Sequence, residues 1–146
     1  MNCVVVADRH GERSDEPGHD RPYLRVSYAA VRASVPSARR ALAEMAAAAG
    51  AADRQLDAIR LAASEALTNV VLHAYSTPSG EIHVTAGIAG DELWVLIADD
   101  GRGIQAGLES DGLGLGLALI ARLTDEFAIV ERSSGGTELQ LRFVLA

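Results

Sequence analysis

The sequence ASEALTNVVLHAY, residues 63–75, lies in the longest helical pattern of the chain. Apolar residues recur at intervals of three and four between Leu56 and Ala74, which is the spacing of one face of an α-helix. The cap residue Asp53 precedes this pattern, and a Pro-Ser-Gly sequence, residues 78–80, follows it. The pattern therefore predicts a helix from Asp53 to Tyr75.

A weakly alternating strand and a second helix are predicted before it. The strand covers residues 24–30, and the helix is expected to begin at the cap residue Ser34, followed by Pro36 in its first turn. A run of alanines favours the helix to about Ala49, where Gly50 is placed to end it.

A hairpin, a short helix and two last strands are predicted after it. The hairpin joins residues 82–86 to 93–98 through a Gly-Asp turn, the helix covers 115–123, and the strands cover 127–132 and 137–145. Strands and helices do not alternate strictly, so we expect an α+β fold with helices on one face of a mixed, mainly antiparallel sheet.

Composition excludes several classes of function. All 13 basic side chains are arginines, and the net charge is −7. The lack of lysine excludes a P-loop, a two-lobed protein kinase and Schiff-base chemistry, each of which needs one. An acidic balance with only 4% aromatic residues also argues against direct binding of nucleic acid, which needs a basic face or stacking surfaces.

The single cysteine, Cys3, cannot form an intrachain disulfide, which is typical of proteins in a reducing compartment. No apolar run approaches the ~20 residues of a membrane span. We therefore expect a cytoplasmic protein with no membrane partner. Residues 8–22 are polar and lack an apolar period, so residues 1–22 are predicted to be a flexible tail and residues 23–146 one domain.

The first candidate site lies on the long helix, where Glu65, Asn69 and His73 follow at intervals of four and share one ridge. Taken alone, this pattern fits an exposed glutamate beside a hydrogen-bonded asparagine. It also fits a magnesium site in which the amide oxygen of Asn69 binds the metal and Glu65 deprotonates a hydroxyl. His73 is expected to tie the helix end to the next loop.

The second candidate is DDGRGI, residues 99–104, after a predicted apolar strand. By itself it is typical of an Asp-Gly turn. A carboxylate at a strand end can also accept a hydrogen bond from an amine such as adenine N6, with Gly101 and Gly103 letting the backbone approach the ring. Asp99 is a better candidate than Asp100, because it sets the spacing Asp-x-Gly-x-Gly.

The third candidate is DGLGLGLALI, residues 111–120, in which Gly112, Gly114 and Gly116 open a predicted helix. The free N–H groups of a helix start bind polyphosphate without a lysine. A Rossmann motif is excluded because no strand directly precedes the glycines. A glycine hinge before a core helix stays open.

The fourth candidate is the sequence Gly-Gly-Thr, residues 135–137, before the last strand. It predicts a hairpin turn. Thr137 is also a candidate contact to a nucleobase.

In this order the four motifs resemble the N, G1, G2 and GT boxes of the GHKL ATPase superfamily, over roughly residues 24–145. The sequence SEALTNVVLHAY and the short length are most similar to bacterial anti-sigma factors with serine/threonine kinase activity. The resemblance implies the Bergerat ATP-binding fold, a two-layer α/β sandwich.

The resemblance also implies roles for residues. Asn69 would hold Mg²⁺, Glu65 would act as the base, and Asp99 would recognise the adenine of ATP. Six further residues would surround the nucleotide: Gly101, Gly103, Gly112, Gly114, Gly116 and Thr137. The implied partners are a sigma factor, an antagonist protein that is phosphorylated on Ser or Thr, and a second copy of the chain.

The chain departs from this pattern at one point. Kinases of the family can carry an arginine just before the G2 glycines, whereas residues 105–116 contain neither Arg nor Lys. Arg102 is a candidate substitute. Two alternatives therefore stay open: a nucleotide-gated binding module without phosphotransfer, and a detached histidine-kinase ATP domain, for which the chain offers no dimerisation helix with a phosphoacceptor histidine.

Overall fold

The periodic patterns of the sequence correspond to strands and helices in a computed structural model, which describes residues 3–7, 23–75, 79–101 and 113–145. The elements in chain order are β1 (Cys3–Ala7), β2 (Tyr23–Ala29), α1 (Ser34–Ala48), α2 (Asp53–Asn69), a π-helical turn (Val70–Ala74), β3 (Glu81–Ala89), β4 (Glu92–Asp99), α3 (Leu113–Leu123), β5 (Glu126–Glu131) and β6 (Thr137–Val144).

The strands of the described chain form one sheet in the order β1-β5-β6-β4-β3-β2. Every neighbouring pair is antiparallel except β1 and β5, which are parallel. The strands β3 and β4 form the predicted hairpin. The predicted mixed, mainly antiparallel sheet is thus confirmed.

In β2 to β6 the apolar side chains of the core lie on one face of the sheet and pack with those of the helices. In β4, Leu93, Val95 and Ile97 are buried, whereas Trp94 and Leu96 between them are partly exposed. Such alternation is typical of a sheet with one covered face. The largest fully buried side chains come from both layers: Phe127, Leu42, Ile59, Leu67, Ile82, Leu93, Ile97, Ile120, Leu139 and Val70. The predicted α+β two-layer sandwich is confirmed.

The predicted flexible tail over residues 1–22 is wrong for Cys3–Ala7, which form β1. This strand pairs with β5 from Cys3 opposite Phe127 to Ala7 opposite Glu131. A parallel pairing between segments more than 100 residues apart leaves no local signal, and five apolar residues are too few to show a period. Residues 8–22 lie outside the described residues.

Both helix starts differ from the predicted caps by one residue. The N-cap residue of α1 is Ala33, in the helical region at φ −63° and ψ −23°, and Ser34 is the first helical residue. Asp53 is likewise the first residue of α2. The N–H of Ala52 is satisfied by the side-chain oxygen of Gln55 at 3.1 Å.

The long helix extends nearly as far as predicted, but its last part changes type. The α-helix ends at Asn69, and the π-helical turn continues it to Ala74, after which Tyr75 is extended at φ −124° and ψ 139°. A π-helical turn widens the helix locally and is frequent at functional sites.

Among the described residues, the helices are too short or too polar to span a membrane.

Candidate functional site

Buried polar side chains mark the candidate site. Among the polar residues of the described ranges, Asn69, Asp99 and Thr137 are buried, with 5%, 1% and 2% of their surfaces exposed. Burying a polar group without a partner costs about 1–3 kcal/mol, so each needs a reason to be there. All three belong to the site residues predicted from the sequence.

The ridge of α2 faces the first turn of α3. A Cβ atom at Gly116 would lie 3.1 Å from Oε2 of Glu65 and 3.5 Å from Oδ1 and Nδ2 of Asn69. The structure thus brings Glu65, Asn69 and Gly116 together, and the glycine keeps a side chain out of the space between the two helices. His73 lies in the π-helical turn, and its expected role stays a prediction.

The amide of Asn69 is not fully used by the fold. Its Nδ2 atom is buried and has no hydrogen-bond partner among the described residues. Buried polar atoms are nearly always paired in native proteins, so this orphan is a costly feature of the core. An amide nitrogen without a partner in the fold is available to a ligand.

Asp99 ends β4 on the buried face, continuing the inward alternation of that strand. Its Oδ1 accepts a hydrogen bond from the N–H of Gly101 at 3.0 Å, and the backbone N–H of Thr137 also donates to the carboxylate. Burial raises the pKa of Asp99, and the two N–H donors and Arg132 oppose that rise. The result is a dry acceptor, suited to an amine donor on a ligand.

A glycine brings β6 close to the end of β4. A Cβ atom at Gly136 would overlap the carbonyl oxygen of Asp99, and its φ of 89° is in the region that favours glycine. The next residue, Thr137, is thereby placed beside Asp99. The fourth motif therefore forms its predicted turn and also borders the buried carboxylate.

Gly101 links the carboxylate to the end of the long helix. A Cβ atom there would overlap the carbonyl oxygen of Ala74 and touch the ring of Tyr75. The five residue-to-residue steps from Asn69 to Ala74 span on the order of 7 Å of helix. The site thus consists of two clusters at the two ends of the π-helical turn: the helix cluster Glu65, Asn69 and Gly116, and the strand cluster Asp99, Gly101 and Thr137.

Two predicted glycines, Gly103 and Gly112, and the candidate Arg102 lie outside the described residues. Gly114 is the second residue of α3, which begins at Leu113 rather than at the predicted residue 115. The N–H groups of this first helical turn have no partners within the helix, which is the feature that suits phosphate.

A polar network beside the strand cluster was not found from the sequence. The hydroxyl of Tyr75 donates to the carbonyl of Glu81 at 2.7 Å and accepts the N–H of Asp100 at 2.8 Å. The Asp100 carboxylate also pairs with Arg132 at 2.6 Å and with His83 at 2.5 Å. The sequence pattern favours Asp99 over Asp100, and the contacts of Asp100 with His83 on β3 and Arg132 after β5 follow only from the arrangement of strands in the sheet.

Comparison with known proteins supports the same grouping of motifs. The family model described as "Histidine kinase-like ATPase domain" matches residues 28–143. The RsbU and RsbW domains of Rv1364c from Mycobacterium tuberculosis superpose with a TM-score of 0.67 and 31% identity, covering 85% of this chain and 32% of that chain.

Two curated relatives match over shorter segments. The anti-sigma F factor of Thermoanaerobacter sp. (strain X514) is 28% identical over 94 residues, which is 57% of this chain and 66% of the relative. The serine-protein kinase RsbW of Bacillus mycoides (strain KBAB4) is 30% identical over 110 residues, 65% of this chain and 68% of the relative. The matches thus span about two thirds of these relatives' lengths. Since the family model covers most of the chain, including all four motifs, the chain belongs to the family of histidine kinase-like ATPase domains.

Proposed function

We propose that the chain is an ATP-dependent protein serine/threonine kinase that also binds a sigma factor, and so acts as an anti-sigma regulator. The observation that carries this proposal is the helix cluster, in which Glu65 and Asn69, whose amide nitrogen is unsatisfied, converge beside Gly116. The similarity to the proteins named anti-sigma F factor and serine-protein kinase RsbW supports the same activity and partners.

The strand cluster is suited to the adenine end of ATP. Asp99 is a hydrogen-bond acceptor that is shielded from water, so it can bind the exocyclic amine that adenine has and guanine lacks at that position. The glycines at 101 and 136 let two backbone segments approach the same place. Thr137 would border the base from β6.

The helix cluster is suited to the phosphate end. Asn69 fits a magnesium ion, because its amide supplies the hard oxygen that this ion prefers and its Nδ2 makes no hydrogen bond that would hold the amide in the fold. The ion would neutralise charge on the phosphates. The first turn of α3 faces the same cluster and offers free N–H groups to the phosphate oxygens.

Glu65 is the proposed base. It would accept the proton of the serine or threonine hydroxyl as the hydroxyl oxygen bonds to the γ-phosphorus and the bond to the bridging oxygen breaks, releasing ADP. The acceptor would be an antagonist of the anti-sigma factor.

We further propose that the protein works in the cytoplasm and that it forms a homodimer. Analytical ultracentrifugation tests the homodimer directly.

The test is to incubate the protein with Mg²⁺, γ-labelled ATP and its antagonist protein, and to compare Glu65→Gln. We expect label on the antagonist with the unchanged protein and a loss of about 10²-fold or more in the variant, the usual contribution of a general base. Glu44→Gln, on α1 in the same helical layer, is the matched control. Equal labelling by all three proteins would contradict the role of Glu65.

A second candidate is a nucleotide-gated protein-binding module without phosphotransfer. It is favoured by the lack of Arg and Lys in residues 105–116, because a cation that stabilises the transferred phosphoryl group is worth on the order of 10³-fold in rate. Nucleotide-dependent binding of the antagonist with no labelled product would support this alternative. Arg102→Ala tests whether this side chain replaces the missing cation. A kinase that uses Arg102 would lose turnover in this variant and keep its affinity for ATP.

A further inference from the structure

The Asp99 carboxylate owes its orientation to two backbone segments. Its hydrogen-bond donors are the N–H of Gly101, two residues ahead on the same strand end, and the N–H of Thr137, at the start of β6. Neither donor is a side chain. Whatever fixes these two segments relative to each other also fixes the carboxylate.

Arg132 holds both segments. Its guanidinium Nη1 donates to the carbonyl oxygen of Asp99 at 2.8 Å and to Oδ1 of Asp100 at 2.6 Å. Its own backbone N–H donates to the carbonyl of Gly136 at 3.1 Å and its carbonyl accepts the N–H of Gly135 at 3.0 Å, which closes the turn that leads to Thr137. One residue thus ties the end of β4 to the start of β6.

Tyr75 ties the same strand end to the long helix. It follows the π-helical turn that begins after Asn69, and its hydroxyl bridges the carbonyl of Glu81 and the N–H of Asp100. Its ring fills the space beside Gly80 and Gly101, where added Cβ atoms would collide with it. Tyr75 therefore joins the end of the long helix to the end of β4 beside the strand cluster.

Asp100 is the shared partner of these contacts. One carboxylate oxygen faces Arg132 and the other faces Nε2 of His83, whose Nδ1 is 2.8 Å from the hydroxyl of Ser27. The hydrogen bond from His83, and then Arg132, lower the pKa of Asp100, so it is a carboxylate at neutral pH. Charged hydrogen bonds are the stronger kind, which gives this network the stiffness that a positioning device needs.

We propose that Arg132, with Tyr75 and Asp100, positions Asp99 for recognition of the nucleobase, although none of the three need touch the nucleotide. This inference rests on the proposed function. It differs from a purely stabilising role, because loosening the network would reduce the preference for adenine in a protein that is still folded.

The test compares ATP and GTP binding, with Mg²⁺, by calorimetry on unchanged protein, Arg132→Met and Arg142→Met. Arg142 is a matched control: it lies on β6 and pairs with Glu92 and Glu126 at 2.7 and 2.8 Å, away from the site. We expect Arg132→Met to lower the ratio of ATP to GTP affinity by about tenfold or more, which equals about 1.4 kcal/mol, and Arg142→Met to leave it unchanged.

A second variant keeps the test decisive if Arg132→Met does not fold. Tyr75→Phe keeps the ring against the two glycines and removes only the hydroxyl, and we expect it to reduce the same ratio several-fold. An ATP to GTP ratio within about twofold of the unchanged protein, in whichever of the two variants folds, would overturn the positioning role.

The outcomes separate this inference from the proposed function. If the unchanged protein binds no ATP, or if Asp99→Asn keeps the full preference for adenine, the proposed function itself fails. If Asp99→Asn loses the preference and Arg132→Met and Tyr75→Phe keep it, the nucleotide site stands and the positioning network is rejected.

Discussion

Asn69 and Asp99 are polar residues at positions where the apolar periodicity of α2 and β4 predicts apolar residues. Asn69 lies among buried alanines and leucines on α2, and Asp99 takes the inward place after Ile97 on β4. An apolar side chain would satisfy the fold better at Asn69, because its amide nitrogen lacks a partner, whereas at Asp99 burial penalises a charge that two backbone N–H groups stabilise. Function is the physical reason that remains for keeping them.

Replacing Asn69 with leucine should therefore separate stability from binding. We expect Asn69→Leu, which has a similar branched shape, to raise the free energy of unfolding of the nucleotide-free protein by about 1–3 kcal/mol. The variant should bind ATP without any dependence on Mg²⁺, or not at all. Urea unfolding and calorimetry check the two parts, and a variant less stable than the unchanged protein would contradict the orphan status of the amide.

The raised pKa of Asp99 predicts a pH dependence of nucleotide affinity. The ionised carboxylate is a stronger acceptor for an amine N–H than the protonated acid, so affinity should be constant at high pH and fall as the pH drops through the pKa of Asp99. Because burial raises that pKa, the fall should begin at a higher pH than for an ordinary aspartate.

Calorimetric titrations from about pH 8 down to about pH 5 measure this fall. Asp99→Asn is the control. The phosphate groups of ATP titrate in the same way with both proteins, but the variant has no carboxyl group at position 99. If both proteins lose affinity in parallel, Asp99 is not the group that titrates.

At the scale of elements, Gly116 lies in the first turn of α3, where this helix faces α2. Alanine is a better helix former than glycine by about 0.5–1 kcal/mol, so a glycine here has to be explained by its surroundings. A Cβ atom at this position would stand between Glu65 and Asn69. The cluster geometry thus accounts for the residue where helix propensity does not.

Gly116→Ala should leave the fold almost unchanged and impair binding. The gain in helix propensity offsets a contact of 3.1 Å with the flexible end of Glu65, so we expect the melting temperature to stay within a few degrees. The methyl group would fill the space offered to the phosphate end, and ATP affinity should fall about tenfold or more. Unaltered affinity would show that this space is not used by the nucleotide.

Sequence periodicity predicts the elements that have a strong local pattern, but it does not predict the others. The long helix, the hairpin and the last two strands follow from spacing and turn residues. The strand β1 does not follow from spacing, because Cys3–Ala7 pair with a strand that is distant in the sequence. The change from α to π geometry after Asn69 also leaves no trace in a pattern that both geometries accommodate.

The candidate site was predictable to the same degree. Asn69 and Asp99 stood out as polar residues in apolar segments, which is a local signal. Arg132 has no such local signal, because its contacts depend on the register that brings the β5–β6 turn beside the end of β4. Register is a property of the whole sheet.

For the whole molecule, ligand binding and folding are linked. The two clusters lie on α2, α3, β4 and β6, so a nucleotide that contacts both would bind the folded state alone. At a nucleotide concentration about 100 times the Kd, this linkage adds about 2.7 kcal/mol, or about 5–11 °C in Tm for a chain of this size. Thermal scans with ATP and Mg²⁺ check the increase, which should vanish in a double variant, Asn69→Ala with Asp99→Asn; a shift that persists there would place the nucleotide elsewhere.

The most direct measurement is calorimetric binding of ATP and GTP, each with and without Mg²⁺, to the unchanged protein, Asn69→Ala and Asp99→Asn. We expect the unchanged protein to bind ATP in preference to GTP and to require Mg²⁺, Asn69→Ala to lose the requirement for Mg²⁺, and Asp99→Asn to lose the preference for adenine. An Asn69→Ala protein with an intact magnesium requirement, or an Asp99→Asn protein that still prefers ATP, would contradict the assignment of the two clusters.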